Sequence, residues 1–82
     1  MKKHERTRFS MLQKRAQQLN RSHQHRFHMI YQQHEKFTTV GLYDYKTKKH
    51  MVSRDFELDF TPLLDEIEAL LNSVGTRAIY VN

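Results

Sequence analysis

Histidine is the residue type in this sequence that most suggests chemistry, because four of its six copies fall within residues 23–34. These four are His23, His25, His28 and His34. Zinc or nickel needs two or more imidazoles that converge on one point, which on a helix requires a spacing of three or four residues. Only His25 and His28 have that spacing, and neither a cysteine nor a well-placed carboxylate completes the set. We therefore predict no metal ion and no cofactor.

A second group with catalytic potential is carried by one predicted hairpin, which contains Tyr43, His50, Arg54 and Asp55. A base close to a phosphate-binding arginine would suit a small nuclease. In an extended strand, however, His50 and Arg54 share a face while Asp55 points to the other face. The chain has only two glycines, so it offers no glycine-rich phosphate loop. We predict no catalytic residues and a protein that is not an enzyme, with a small nuclease as the alternative.

The tip of the same hairpin is strongly basic. It contains Lys46, Lys48 and Lys49, flanked by Tyr43 and Tyr45. A two-stranded ribbon with such a tip can enter a nucleic-acid groove, with lysines on phosphates and tyrosines stacked on bases. The alternative is an ordinary solvated turn, because lysine is common at exposed sheet edges and turns.

Positive charge is concentrated in the N-terminal part of the chain. Residues 1–37 contain nine Lys and Arg against two Glu, a balance of +7, whereas residues 38–82 have five against seven acidic residues, a balance of −2. This asymmetry indicates a polyanion-binding face or a solvated helix surface. The residues that we expect to meet a partner on this helix are Lys14, Arg15, Gln18 and Arg21.

These features favour a small non-enzymatic protein that is either associated with nucleic acid or regulatory. The alternative partner is an acidic protein surface, on which the chain would dock as an inhibitor or adaptor. A third possibility is that the basic helix pairs with Asp55, Glu57 and Asp59 in its own or another subunit, which would consume its charge.

Residues Glu5–Lys36 predict a long helix, because they lack Gly and Pro and place apolar or amphipathic residues at steps of three and four. A single helix of this length would measure roughly 45 Å and overhang so small a domain. The overhang would have to pair with a second subunit or remain solvated, and we expect a homodimer through this helix or through a sheet edge. A kink near Asn20, with a second helix after it, is the alternative, and a third interpretation makes Arg26–Tyr31 a strand.

The remaining elements have clearer patterns. Residues 36–45 predict a strand, and His50–Phe60 predicts its hairpin partner, with Val52 and Arg54 on the inward face. Thr61 as N-cap and Pro62 at the first helical position predict a helix that ends at Ser73 before Gly75. Residues 77–81 then predict a short strand, which would pair beside the first strand in an antiparallel sheet.

The predicted fold is therefore α+β, in the order α-β-β-α-β, as a single domain over residues 1–82. Within it, residues 1–36 form the basic helical segment and residues 37–82 the ββαβ core. The N-terminus lacks the apolar region of a signal peptide, and no apolar run approaches the roughly 20 residues that cross a bilayer. We accordingly expect a cytoplasmic protein with no membrane contact.

Overall fold

Three consecutive strands form one antiparallel sheet, with one helix before them and one after. The computed structural model describes residues 1–23, 26–55 and 59–81, and the side chains of these residues except 22, 23, 55 and 75–81. The elements, in chain order, are α1 (Lys3–His23), β1 (Phe27–Gln33), β2 (Thr38–Asp44), β3 (Lys49–Asp55) and α2 (Thr61–Val81). The strands lie side by side in the order β1-β2-β3. The α+β class is confirmed, whereas the order of elements is α-β-β-β-α.

The predicted helix Glu5–Lys36 is wrong in its second half, because that half contains β1. The interpretation of Arg26–Tyr31 as a strand is the one that agrees with the structure. Every residue of β1 pairs with β2. Phe27 and Met29 are buried while His28 between them is exposed, which is the two-residue period of a strand. The helical spacing in the sequence depended on counting histidines as apolar, and pairing with β2 overrides it.

Asn20 lies at the reversal between α1 and β1. Because α1 continues past it to His23, the second helix of the alternative interpretation does not begin at Asn20. Its Nδ2 donates to the carbonyl oxygen of Phe27, and its Oδ1 accepts from the Phe27 N–H, both at 2.8 Å. The amide thus satisfies both backbone groups of the first residue of β1. This pair of bonds fastens the start of the sheet to the last turns of α1.

Helix α2 continues through Gly75 to Val81, so the predicted helix end at Gly75 and the strand over 77–81 are wrong. Glycine weakens a helix interior by roughly 1 kcal/mol relative to alanine and does not by itself stop it. The position beside β2 that the last strand was expected to fill is occupied by β1. The third strand of the sheet therefore comes from before the hairpin, not from after it.

Both helices cover one face of the sheet and leave the other face open. Leu42 of β2 is buried on the covered face, and its partner on β3 is Met51, which lies beside Ala69 and Leu70 of α2. The inward face predicted for β3 is therefore wrong, because Val52 and Arg54 lie on the open face. Alternation sets the period of a strand but not which side is buried. The predicted continuation of β3 over 56–58 lies outside the described residues.

The core lies between the covered face and the two helices, and α1 contributes to it along one stripe. Because this stripe is buried within the chain, the overhanging helix from which we inferred a homodimer does not form, and the homodimer stays a prediction. Among the described residues, neither helix has the length and apolar character needed to cross a membrane. The buried apolar side chains are Leu12, Ala16, Phe27, Met29, Val40, Leu42, Phe60, Leu64, Ile67, Leu71 and Val74.

A buried carboxylate joins the N-terminal ends of the two helices. Glu5 is 1% exposed, and it accepts from the Lys2 N–H (2.8 Å) and from the Phe60 N–H (2.6 Å). Thr61, the predicted N-cap, is instead the first residue of α2 and donates its N–H and its hydroxyl to Asp59. The negative charge of Glu5 also interacts favourably with the positive N-terminal ends of both helix dipoles. The side chain therefore fixes α1 against the start of α2.

Candidate nucleic-acid interface

The turn between β2 and β3 is built around the carboxylate of Asp44. This side chain is fully buried, and Arg26 donates to it from Nε (2.6 Å) and from Nη2 (2.7 Å). A planar guanidinium matches a carboxylate in this two-bond geometry, which fixes the orientation of both side chains. Because Arg26 immediately precedes β1 and Asp44 ends β2, the pair joins the two strands at the point where the turn begins.

The same carboxylate shapes the backbone of the turn. Oδ1 of Asp44 accepts from the N–H groups of Lys46 (3.0 Å) and Thr47 (3.5 Å), and Oδ2 accepts from the Thr47 hydroxyl (2.9 Å). An aspartate that binds backbone N–H groups two and three residues onward stabilises a tight turn. Two lysines of this turn and the first residue of β3 are exposed, and we refer to these three residues, Lys46, Lys48 and Lys49, as the basic tip.

These contacts also determine the charge of Asp44. Burial alone would raise the pKa of the carboxyl, but hydrogen bonds from Arg26, from the Thr47 hydroxyl and from the Lys46 backbone outweigh burial and lower the pKa to about 2. Asp44 is therefore ionised at neutral pH and neutralises Arg26. The charges of the basic tip are left without a buried counter-ion.

Lys48 has a backbone conformation that a lysine adopts only at a cost. Its φ is +57°, in the left-handed region that glycine and asparagine favour. A side chain with a Cβ costs roughly 1–2 kcal/mol in that region. A lysine at this position therefore lowers stability in exchange for an exposed positive charge.

Replacing Lys48 with glycine is expected to stabilise the fold and to weaken binding at the basic tip. Relief of the left-handed strain exceeds the roughly 0.5–1 kcal/mol that glycine costs in chain entropy, so we expect a net gain of about 0.5–1 kcal/mol. Loss of one phosphate contact should lower nucleic-acid affinity about 5- to 10-fold at 0.1 M salt. Urea unfolding and fluorescence anisotropy measure the two effects.

Lys46→Gly is the matched control, because among the described non-glycine residues only Lys48 has a positive φ. We expect Lys46→Gly to lower the free energy of unfolding. If Lys46→Gly and Lys48→Gly lowered it equally, the prediction would be contradicted.

The predicted residues of α1 are also exposed, and the C-terminal end of their helix lies next to the hairpin. Lys14, Gln18 and Arg21 recur at steps of four and three, so they form one solvent-facing stripe, and Arg15 lies to one side of it. The stripe spans about 10 Å along the helix. Its Arg21 end lies close to the turn, because α1 is bonded to β1 through Asn20.

One further bond places the turn against the start of β1. The Tyr45 N–H donates to the carbonyl oxygen of Arg26 at 2.9 Å. The start of β1 is thus bonded to α1 on one side and to the turn on the other. Arg21 and the basic tip consequently lie at the same end of the molecule, as the sequence-based hypothesis requires.

None of the predicted cations takes part in an ion pair within the described part of the chain. The pairs found there join Arg26 to Asp44 and join Arg8 to Asp65 (2.5 Å) and Glu68 (3.6 Å). The predicted pairing of the basic helix with residues 55–59 is not seen for Asp59, which accepts from Thr61 instead. The side chains of residues 55 and 57 lie outside the described set.

The open face of the sheet is a candidate surface that sequence reasoning missed. The strand registers place three rows of residues on this face, each row crossing all three strands. The first row lies at the hairpin end of the sheet and the third at the opposite end. We define the open face by these rows, which are His28–Tyr43–His50, Ile30–Gly41–Val52 and Gln32–Thr39–Arg54. A groove of about 840 Å³ runs over the last two rows and continues to His34 and Phe37. The sequence did not predict this face for two reasons. It predicted a helix where β1 lies, and it predicted that Val52 and Arg54 of β3 face the core.

Aromatic rings occupy both ends of the open face. Tyr43 contacts Tyr45 and His50 edge to face, with ring centroids 4.6 and 5.6 Å apart. At the other end His34 stacks on Phe37 with centroids 4.3 Å apart and shares a hydrogen bond with the Thr39 hydroxyl (3.1 Å). The predicted Tyr43 and Tyr45 are therefore brought together, next to the basic tip.

The histidine cluster and the nuclease set do not form compact sites among the described residues. His28 belongs to a strand, so the helical spacing from His25, which is outside the described set, does not apply. His50 and Arg54 share the open face, but four residues of strand place their backbones about 13 Å apart.

A different group, His4, Glu5 and Asp59, places three potential ligand atoms within 4.8 Å of one another. Both carboxylates already accept N–H groups at the N-terminal ends of the helices. Hydrogen bonds from the hydroxyl and the N–H of Thr61 lower the pKa of Asp59 to about 2. The positive ends of two helices disfavour a cation there, so the group is best explained as a cap.

Comparisons of the chain with protein families, with curated proteins and with solved structures found no match. The surfaces that could bind a partner therefore follow from the chain's own geometry. That geometry consists of a basic end, formed by the basic tip and the Arg21 end of α1, and an open sheet face that begins beside it.

Proposed function

We propose that the protein binds nucleic acid without catalysing a reaction, through phosphate contacts at the basic tip and along the Lys14–Gln18–Arg21 stripe of α1. The observation that carries the proposal is the construction of the turn. Asp44, which Arg26 binds through two hydrogen bonds, fixes the backbone of a turn that presents three exposed lysines, and Lys48 among them has a positive φ. Exposed cations on a backbone that is already ordered contact a phosphate chain at a lower entropic cost than cations on a disordered segment.

The distribution of charge supports the same proposal. On α2 the exposed charged side chains of the described residues are acidic, namely Asp65, Glu66 and Glu68. On α1 and the hairpin tip the exposed charges are predominantly basic. A polarised surface of this kind orients the chain toward a polyanion and speeds association. A protein that binds in this way acts by occupying its target, which fits a regulatory or nucleic-acid-associated role.

Binding to a mixed pool of labelled DNA and RNA oligonucleotides tests the proposal. We expect retention at 50 mM salt that falls steeply by 200 mM salt, because bound cations on the nucleic acid are released when lysines replace them. A full-length protein that is folded by circular dichroism and yet retains no oligonucleotide at 50 mM salt would contradict the proposal. That outcome would favour the alternative partner, an acidic protein surface.

A further inference from the structure

The open face differs chemically from the basic end, so it would recognise a different part of a nucleic acid. Its described residues comprise rings, aliphatic side chains, polar groups and one arginine, and none of them is acidic. Its side chains are half-buried or exposed, since no described helix covers this side of the sheet. A face without negative charge can approach a polyanion without repulsion.

Gly41 allows β2 and β3 to lie close together in the middle of the open face. This residue lies between Ile30 and Val52 in the central row, and the backbone of β3 takes the place that a side chain would need. A Cβ built on Gly41 would lie 2.1 Å from the backbone oxygen of Met51, so no larger residue fits without moving the strands. The groove of about 840 Å³ is within the range of roughly 300–1,000 Å³ that ligand pockets occupy.

Rings at the two ends of the open face provide surfaces for stacking. Tyr43 meets its neighbours at 78° and 74°, so these rings do not cover one another as a stacked pair would. Tyr45 is 58% exposed. The stacked rings of His34 and Phe37 lie beside the groove at the opposite end, next to Thr39. Along β2 the backbone of Thr39 is about 13 Å from that of Tyr43. Base–aromatic stacking of this kind tolerates any base, because every base has a π-face.

Positively charged side chains lie at both ends of the open face. The basic tip adjoins the Tyr43 end, since Lys49 precedes His50 in β3. Arg54 is exposed at the other end and lines the groove with His34 and Phe37. A single-stranded nucleic acid that stacks its bases on the rings would therefore have a positive side chain near its phosphates at each end.

These features distinguish a single strand from a duplex. In a duplex the flat faces of the bases are hidden in the stack, so only the edges and the backbone are accessible. Rings on an open sheet can meet base faces only when the bases are unpaired. The basic tip alone could contact the phosphates of a single strand or of a duplex. The open face can stack only on the bases of a single strand.

We propose that the open face is a binding platform for single-stranded nucleic acid, with bases stacked on the Tyr43 and Phe37 ends and Arg54 and the basic tip on the phosphates. This inference rests on the proposed function and adds its substrate class. The occupant is an unpaired polynucleotide chain, whichever sugar it carries.

The test compares Tyr43→Leu with Tyr31→Leu. Tyr31 lies on the same sheet but on the covered side, 42% exposed and in edge contact with Phe9, so it is a matched control. Fluorescence anisotropy is measured with a 12-residue oligo-dT, an oligo-U of the same length and a 12-base-pair duplex. For Tyr43→Leu we expect affinity for the single strands to fall about 5- to 150-fold with an unchanged salt dependence. Tyr31→Leu should change affinity less than twofold. Tyr45→Leu, in the exposed turn, provides a second variant that leaves the sheet intact.

Each outcome bears on a different part of the account. Binding of the duplex as tightly as the single strands, with Tyr43→Leu and Tyr45→Leu unaffected, would overturn the inference and leave the proposed function standing. A change of oligomeric state in Tyr43→Leu, measured by sedimentation, together with unchanged binding would assign the face to a second copy of the chain and would also overturn it. Failure of the wild-type protein to bind any of the three probes would contradict the proposed function itself.

Discussion

The triple variant K46E/K48E/K49E is expected to lose measurable nucleic-acid binding. Each lysine–phosphate contact contributes about 0.7–0.9 of a log unit per decade of salt, so three contacts are worth roughly 100- to 1,000-fold at 0.1 M salt. Three glutamates would add repulsion to this loss. Anisotropy with the labelled pool measures the effect. The turn itself should survive, because it is held by the carboxylate of Asp44 and not by the lysine side chains.

The matched control for this variant changes the same number of charges elsewhere. Lys2, Lys3 and Lys36 are all exposed, and none belongs to the basic tip or to the α1 stripe. Lys3 is also about 27 Å from Arg21 along α1, so it lies far from the basic end. We expect K2E/K3E/K36E to lose less than about tenfold in affinity. Equal losses in the two variants would show that net charge, and not the basic tip, governs binding.

The second large effect concerns the residue that builds the tip. Asp44→Ala is expected to lower the free energy of unfolding by about 3–5 kcal/mol, because it leaves the nearly buried Arg26 without its partner and removes the acceptor of the turn N–H groups. Small domains have little more than that in reserve, so much of the protein should be unfolded. Urea unfolding followed by circular dichroism measures the change. Asp65→Ala, which removes an exposed partner of Arg8, should cost less than about 1 kcal/mol.

Asp44 also makes stability depend on pH in a defined direction. Its pKa is lowered from 3.8 to about 2 in the folded protein, so the unfolded chain takes up a proton first as the pH falls. The contribution of this group, about 2 kcal/mol, is complete above pH 3.8 and is lost as the pH falls toward 2. In Asp44→Asn this pH dependence should disappear, while the turn keeps an acceptor for its N–H groups. An unchanged acid limb in Asp44→Asn would show that the pair with Arg26 does not hold the carboxyl ionised.

The parts of the fold that were predicted correctly depend on local signals. The polar run Lys46-Thr47-Lys48-Lys49 marks a turn, and the structure has its turn over 45–48. The first half of the N-terminal helix and the body of α2 follow from amphipathic spacing. The bidentate partner of Asp44 was not predicted, because Arg26 is 18 residues away and no local pattern links them.

The open face was missed for a related reason. The segment Phe27-His28-Met29-Ile30-Tyr31 contains aromatic and β-branched residues that favour a strand, but the histidines also fit a helical period. Which period prevails depends on β2, whose unsatisfied edge needs a partner. In the same way, Val52 and Met51 alternate correctly in the sequence, and only the position of α2 decides which of them is covered. Site residues on local elements were therefore predictable, whereas the surface shared by three strands was not.

The salt dependence of binding tests the central claim most directly. Affinity for a 12-residue oligo-dT is measured between 50 and 200 mM salt for the wild-type protein and for K46Q/K48Q/K49Q, which removes the charges without adding repulsion. The account predicts a steep fall for the wild-type protein and a slope in the log–log plot that is smaller by about 2 in the variant, because three phosphate contacts are lost. Equal slopes for the two proteins would contradict the claim that the basic tip binds the phosphate backbone.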